Sequence, residues 1–135
     1  MGTNYRRGRL VFDAVDSVDA GVESDVAIVK NAPRAGVLVQ NTGANIVDVF
    51  VEVKAASQRE GGINSQDEIT ADAGWHRYHV LDQDGAPTAL VLSVDTNDTM
   101  AIDLSVFAFD AIRLVALPSS AGDQGTVTAT VTWGS

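Results

Sequence analysis

The clearest pattern in the chain lies near its end. Over residues 126–133, Val127, Ala129, Val131 and Trp133 alternate with Thr126, Thr128, Thr130 and Thr132. Alternation with period two marks a strand with one buried and one wet face. Threonine is β-branched and suits a solvated pleat. A helix would scatter the two sets around its circumference. Upstream, Ile102, Leu104, Val106 and Ala108 alternate with Asp103, Ser105 and Phe107. Phe107 interrupts the polar set, so that face is expected to be partly covered. Residues 111–117 are apolar except for Arg113, which predicts a strand buried on both faces. Asp110 marks the tight turn between these two strands. Pro118 ends the run, because proline cannot continue a central strand.

The same signals recur toward the start. Val47, Val49, Val51 and Val53 face one way over residues 46–54, with Asp48, Glu52 and Lys54 on the other side beside Ile46 and Phe50. A strand at 36–40 precedes it, and the intervening Asn41-Thr42-Gly43-Ala44-Asn45 predicts a hairpin turn. Residues 25–30 form a short strand closed by Pro33 and Gly36. Residues 75–81 form another, and Asp82–Pro87 is its turn. Residues 90–94 return, and 95–99 turn again. Two stretches resist a simple reading. In 10–22, Val11, Val15, Val18 and Val22 fit a helical stripe, yet the many valines and Gly21 favour a strand over 9–15. Residues 55–74 form a long polar stretch with a short strand expected near 68–71. Long loops in compact domains are commonly functional, so this one is a candidate contact. About eight to nine short, regularly spaced strands and no confident helix predict an all-β fold. The expected architecture is a single antiparallel β-sandwich of jelly-roll or immunoglobulin-like type.

Composition narrows the classes. The chain has 135 residues, which favours one domain, and 45% of them are hydrophobic. It has no cysteine, so disulfides and thiolate metal sites are excluded. No apolar run approaches the roughly 18 residues of a helical membrane span, and none follows the first arginines as a secretory leader requires. The net charge of −9 is uneven: Arg6, Arg7 and Arg9 are three of nine basic residues, leaving six against 18 acidic ones from Leu10 onward. An acidic body argues against nucleic-acid binding. The short basic segment reads as an arm, residues 1–9, ahead of a sandwich domain, residues 10–135.

Candidate chemistry is sparse. His76 and His79 are three apart, so on one strand they face opposite ways and share no metal. Asp82-Gln83-Asp84-Gly85 lacks the rest of a calcium loop and reads as a turn. Asp13, Asp16 and Asp19 hold a cation only if a loop brings them together. Trp75, Tyr78 and Trp133 suggest a sugar platform, but Trp75 and Tyr78 fall on opposite strand faces, and Trp133 shares the core face of its strand. No serine has the local context of a catalytic nucleophile. No Gly-rich phosphate loop precedes a helix. The reading is a non-enzyme without a cofactor.

The segments 37–53 and 109–135 resemble the small β-sandwich virion proteins of tailed bacteriophages, the capsid decoration or cement proteins and related minor structural proteins. The resemblance covers about half of the chain and is one of strand texture. It implies a protein that braces a shell through contacts with the major capsid protein or other virion proteins. It also implies a homo-oligomer, a trimer above all, with assembly in the host cytoplasm and residence in the virion. The candidate contact residues are Tyr5, Arg6, Arg7 and Arg9, ordering on an acidic groove. Rival readings are a neck, tail or fibre component, a carbohydrate-binding or adhesin module, and a small hydrolase working through a carboxylate pair.

Overall fold

A computed structural model describes residues 6–30, 32–55 and 74–134. Its strands in chain order are β1 (Arg6–Asp16), β2 (Val22–Glu23), β3 (Ala27–Ile28), β4 (Arg34–Asn41), β5 (Val47–Ala55), β6 (Trp75–Arg77), β7 (His79–Leu81), β8 (Pro87–Ala89), β9 (Val91–Val94), β10 (Thr99–Ser105), β11 (Phe109–Pro118) and β12 (Thr126–Gly134). One sheet runs β1-β12-β4-β10. The other centres on β11 and β5, with β2 and β3 along the far side of β11 and β6 and β9 along the far side of β5. Each of those short couples acts as one interrupted strand. Counted so, eight strands pair first with eighth, second with seventh, third with sixth and fourth with fifth. That nesting, in two antiparallel sheets, is a jelly roll.

The core lies between the sheets. Val37, Val39, Ala129 and Val131 from the first sheet meet Val47, Val49, Val51, Ile112 and Leu114 from the second, all essentially buried. Burying each such side chain contributes about 1.5–3 kcal/mol. β11 is covered on both faces from Asp110 to Ala116, as its run of apolar residues around Arg113 predicts.

The expected hairpin between β4 and β5 is not one. The two strands belong to different sheets, and residues 42–46 arch across the core between them. The valine faces of both strands still point inward, but toward each other instead of side by side. The same holds at residues 106–108, which pass from β10 in one sheet to β11 in the other. The turn there is closed by the Phe109 N–H donating to the Val106 carbonyl at 2.9 Å. Asp110, expected in the turn, is a buried strand residue, and Pro118 is the last residue of β11, paired with Val47. Pro118 is tolerated because it closes the strand.

The ambiguous stretch 10–22 is strand as far as Asp16, with irregular register against β12 between Leu10 and Phe12 and again between Phe12 and Val15. These bulges turn the consecutive residues Val11 and Phe12 into the core and place Ala14 at a φ of 49°. Each extra residue stretches the inward period beyond two, which is what imitated a helical stripe.

The strand expected over 75–81 breaks at Tyr78. β6 pairs with residues 52–54 of β5, and β9 pairs with residues 47–50. Between them the chain leaves the sheet as the β7–β8 hairpin. Its neck is closed by the Leu90 N–H donating to the Tyr78 carbonyl at 2.8 Å, while the Tyr78 N–H donates to Val51 at 2.8 Å. At the tip, the Asp82 carboxylate accepts from the Asp84 and Ala86 N–H groups, both at 2.9 Å, and Gly85 takes a φ of 79°. The expected structural turn is therefore there, with Asp82 as its cap. The strand expected near 68–71, and most of the polar stretch around it, lie outside the described residues.

Candidate interaction surface

Three features stand at the surface. The first is the basic start of the chain. Arg6, Arg7 and Arg9 are strand residues, paired opposite Gly134, Trp133 and Val131. The boundary drawn between residues 9 and 10 thus falls inside β1, because β12 extends far enough to pair with the earlier residues. Tyr5 lies outside the described residues. The alternation of β1 points Arg6 outward with Gly8 and Leu10, and points Arg7 and Arg9 toward the second sheet. Arg9 donates from Nη1 to the Val26 carbonyl and lies 3.8 Å from the Asp25 carboxylate, closing the open side of the sandwich between β1 and the β2–β3 segment. Arginines and bulges on an edge strand also discourage indiscriminate strand pairing.

The second feature is the corner where the β7–β8 neck meets the 106–108 turn. Tyr78 Oη donates to the Ser105 carbonyl at 3.1 Å and ties the two together. The Tyr78 and Phe109 rings meet edge to face with centroids 6.1 Å apart. Beside them lies a concavity of about 620 Å³ whose wall includes His76, His79, Tyr78, Phe107 and Phe109. Phe107, expected on a partly covered face, is 84% exposed, since the strand ends at Ser105 and the turn throws the ring outward. On the hairpin, Leu81 is 70% exposed and Val80 is also exposed. His76 and His79 were assigned opposite faces of one strand. The break at Tyr78 places them on separate strands along the same concavity. Among the described residues, no three carboxylate or imidazole side chains converge as metal ligands. Asp16 instead accepts from the Thr126 hydroxyl at 2.8 Å and Asp19 from the Gly122 N–H at 2.9 Å.

The third feature is electrostatic. The strands alternate in direction, so their ends sort the charges. Arg6, Arg7, Arg9, Lys30 and Arg34 gather at the end where β1 and β4 begin. Asp16, Asp19, Asp95, Asp98 and Asp123 gather at the other end, whose connecting loops carry no lysine or arginine. At the basic end, Arg34 grips Asp103 with Nε and Nη2 at 2.9 and 2.8 Å. That hydrogen bond first, and the carboxylate's charge second, raise the guanidinium pKa above its ordinary value.

The outer face of the second sheet is by contrast internally satisfied. Arg113, nearly buried, donates to Glu52 at 2.7 Å and Glu23 at 3.2 Å and lies under the Trp75 ring, 4.5 Å from its centroid. Trp75 thus covers a buried ion pair, and Trp133 packs against the core as its strand face predicts. Trp75, Tyr78 and Trp133 form no joint platform, in line with the opposite strand faces of Trp75 and Tyr78; Phe107 and Phe109, which alternation assigns no such role, stand beside Tyr78 instead.

No protein-family profile and no curated protein matches the sequence. Among solved structures, the fold is similar to SPBc2 prophage-derived protein YomS, with a TM-score of 0.57, 10% identity, and coverage of 100% of this chain and 97% of that one. It is also similar to part of tripeptidyl peptidase 2, with a TM-score of 0.51 and 13% identity over 89% of this chain and 9% of that protein. At these identities the likeness is one of fold.

Proposed function

We propose that this chain is a non-enzymatic structural protein of a tailed-phage particle, a capsid decoration or cement protein that braces the shell by protein–protein contact. Its partners are the major capsid protein or other virion proteins. It works as a homo-oligomer, without cofactor. The observation that carries the reading is the exposed Phe107 ring at the concavity shared with Tyr78 and Phe109. A large aromatic left so open, beside further aromatic rings, suits a protein that works by contact. The arginine-bearing end beside it supplies attraction toward an acidic shell. The jelly-roll fold, shared over its full length with a prophage-derived protein, is in keeping with this reading at the level of fold.

Particles purified on a density gradient from virus-producing source cells test the reading. The protein is expected to co-migrate with the particle band, and Leu81→Asp with Phe107→Asp to release it into the soluble fraction. Recovery of the unaltered protein only in the soluble fraction refutes the proposal. Deleting residues 1–9 is the wrong probe of the arginines, since it removes strand pairing. Arg6→Ser with Arg7→Ser keeps the backbone and is expected to weaken attachment most at low salt.

A second reading draws on one observation. The concavity beside Tyr78, Phe107 and Phe109 combines aromatic rings with imidazoles, as glycan sites do. A glycan array read with wild type and Phe107→Ala tests it, and binding that the substitution abolishes moves the assignment to a carbohydrate-binding module.

A further inference from the structure

We infer that the outer face of the β1-β12-β4-β10 sheet is a homodimer interface, covered by the same face of a second copy. Two adjacent rows cross this face. Leu10, Thr130, Leu38 and Ala101 stand in one, and Gly8, Thr132, Gly36 and Asp103 in the next. Leu10 and Leu38 are 48% and 47% exposed, while the glycines leave a shallow depression of about 350 Å³ above Gly36. Asp103 sits at the margin, held by Arg34; the rest of both rows carries no charge.

The register makes the face self-complementary. Each leucine lies two residues from a glycine on its own strand, a step of about 7 Å. A two-fold axis running across the strands midway between the rows sets Leu10 over the partner's Gly8 and Leu38 over the partner's Gly36. That is an isologous contact, the commonest kind in oligomers. Charge agrees with the same operation. On β1, Arg6 stands outward at one end, and Asp16, opposite Thr126, stands outward at the other. The axis brings the Arg6 end of one copy to the Asp13–Asp16 end of the other and opposes no like charges. Sheets so stacked lie about 10 Å apart, within reach of an arginine side chain.

Size sets the strength. Four strands about 4.8 Å apart and seven residues long make a face of roughly 20 by 25 Å, burying about 1,000 Å² in all, near the lower bound for specific pairs. A reversible dimer with a dissociation constant in the micromolar range is expected.

Sedimentation velocity from about 1 to about 500 μM tests this on the full chain. Wild type is expected to pass from the 14.2 kDa monomer to twice that mass. Gly36→Val is the decisive variant. Its added Cβ meets nothing nearer than 3.9 Å in its own chain, so the fold tolerates it, yet the side chain fills the seat of the partner's Leu38. It is expected to weaken dimerisation at least about 100-fold, and Leu38→Lys likewise. Arg6→Asp is expected to weaken the pair about tenfold and Asp16→Arg in the same chain to restore it. A wild type that stays monomeric, a trimer, or a dimer indifferent to Gly36→Val overturns the inference. The particle assay above is scored separately, so either proposal can fail while the other stands.

Discussion

Replacing Asn41 by alanine is expected to destabilise the protein by about 4–6 kcal/mol. Asn41 is completely buried at the end of β4. Its Nδ2 donates to the Asn45 carbonyl at 2.7 Å and to the Val94 carbonyl at 2.9 Å, and its Oδ1 accepts from the Gly43 N–H at 2.9 Å. One amide therefore joins the end of β4, the arch of 42–46 and the end of β9. Truncation strands three backbone groups. Each forfeits about 1 kcal/mol of net bonding, and the buried Val94 carbonyl adds a desolvation cost of about 1–3 kcal/mol. Urea unfolding followed by tryptophan fluorescence is the assay. With a slope near 2 kcal/mol per molar, a loss of about 4 kcal/mol lowers the midpoint by about 2 M. Asn45→Ala is the control: its Nδ2 reaches the Gln124 carbonyl at 2.9 Å in an exposed setting, and about 1 kcal/mol or less is expected. If the two substitutions cost the same at an unchanged slope, the arch is not held by Asn41. Asn41→Asp adds a sign test. A carboxylate facing two carbonyls has its folded pKa raised, so the fold favours the protonated form. The deficit is then smallest below the unfolded value of about 3.9 and grows as pH rises toward the folded one.

Three further outcomes are expected. Gly125→Ala, whose Cβ falls 2.4 Å from Val47 Cγ2 and 2.5 Å from the Asn45 carbonyl, costs at least about 3 kcal/mol, read as a fall in thermal midpoint. Ala14→Gly relieves a left-handed alanine and raises stability by about 0.5–1 kcal/mol in the same measurement; a loss counts against the bulge geometry. Arg113→Met leaves Glu52 buried without its cation and costs about 3 kcal/mol, and adding Glu52→Gln recovers more than half of it in a double-mutant cycle.

Strands were legible where one face is buried without interruption. The valines of β5 and the Val/Thr alternation of β12 fall where period two puts them. Alternation states which side of a strand is apolar, however, and not which sheet it joins. Asn41–Asn45 has the chemistry of a hairpin turn, and only the distant approach of Gly43 to Gly125 and Thr126 shows it to be an arch. β2, two residues long, has too little pattern to read. The exposed corner escaped for a related reason. Phe107 was assigned to a strand, and the end of that strand at Ser105 is set by the turn to β11. The break at Tyr78 depends on β5 receiving two partners end to end, which no local signal records.

The nested pairing also orders events in time during synthesis. β12 stands between β1 and β4, so the first sheet has a gap at its centre until residues 126–134 have been made and released. Until then Phe12 on β1 has no partner strand, and Val37 and Val39 on β4 have only β10 beside them. A nascent chain stalled before Gly125 is therefore expected to stay protease-sensitive and to depend on chaperones, and the domain to close as a unit only after β12 clears the ribosome.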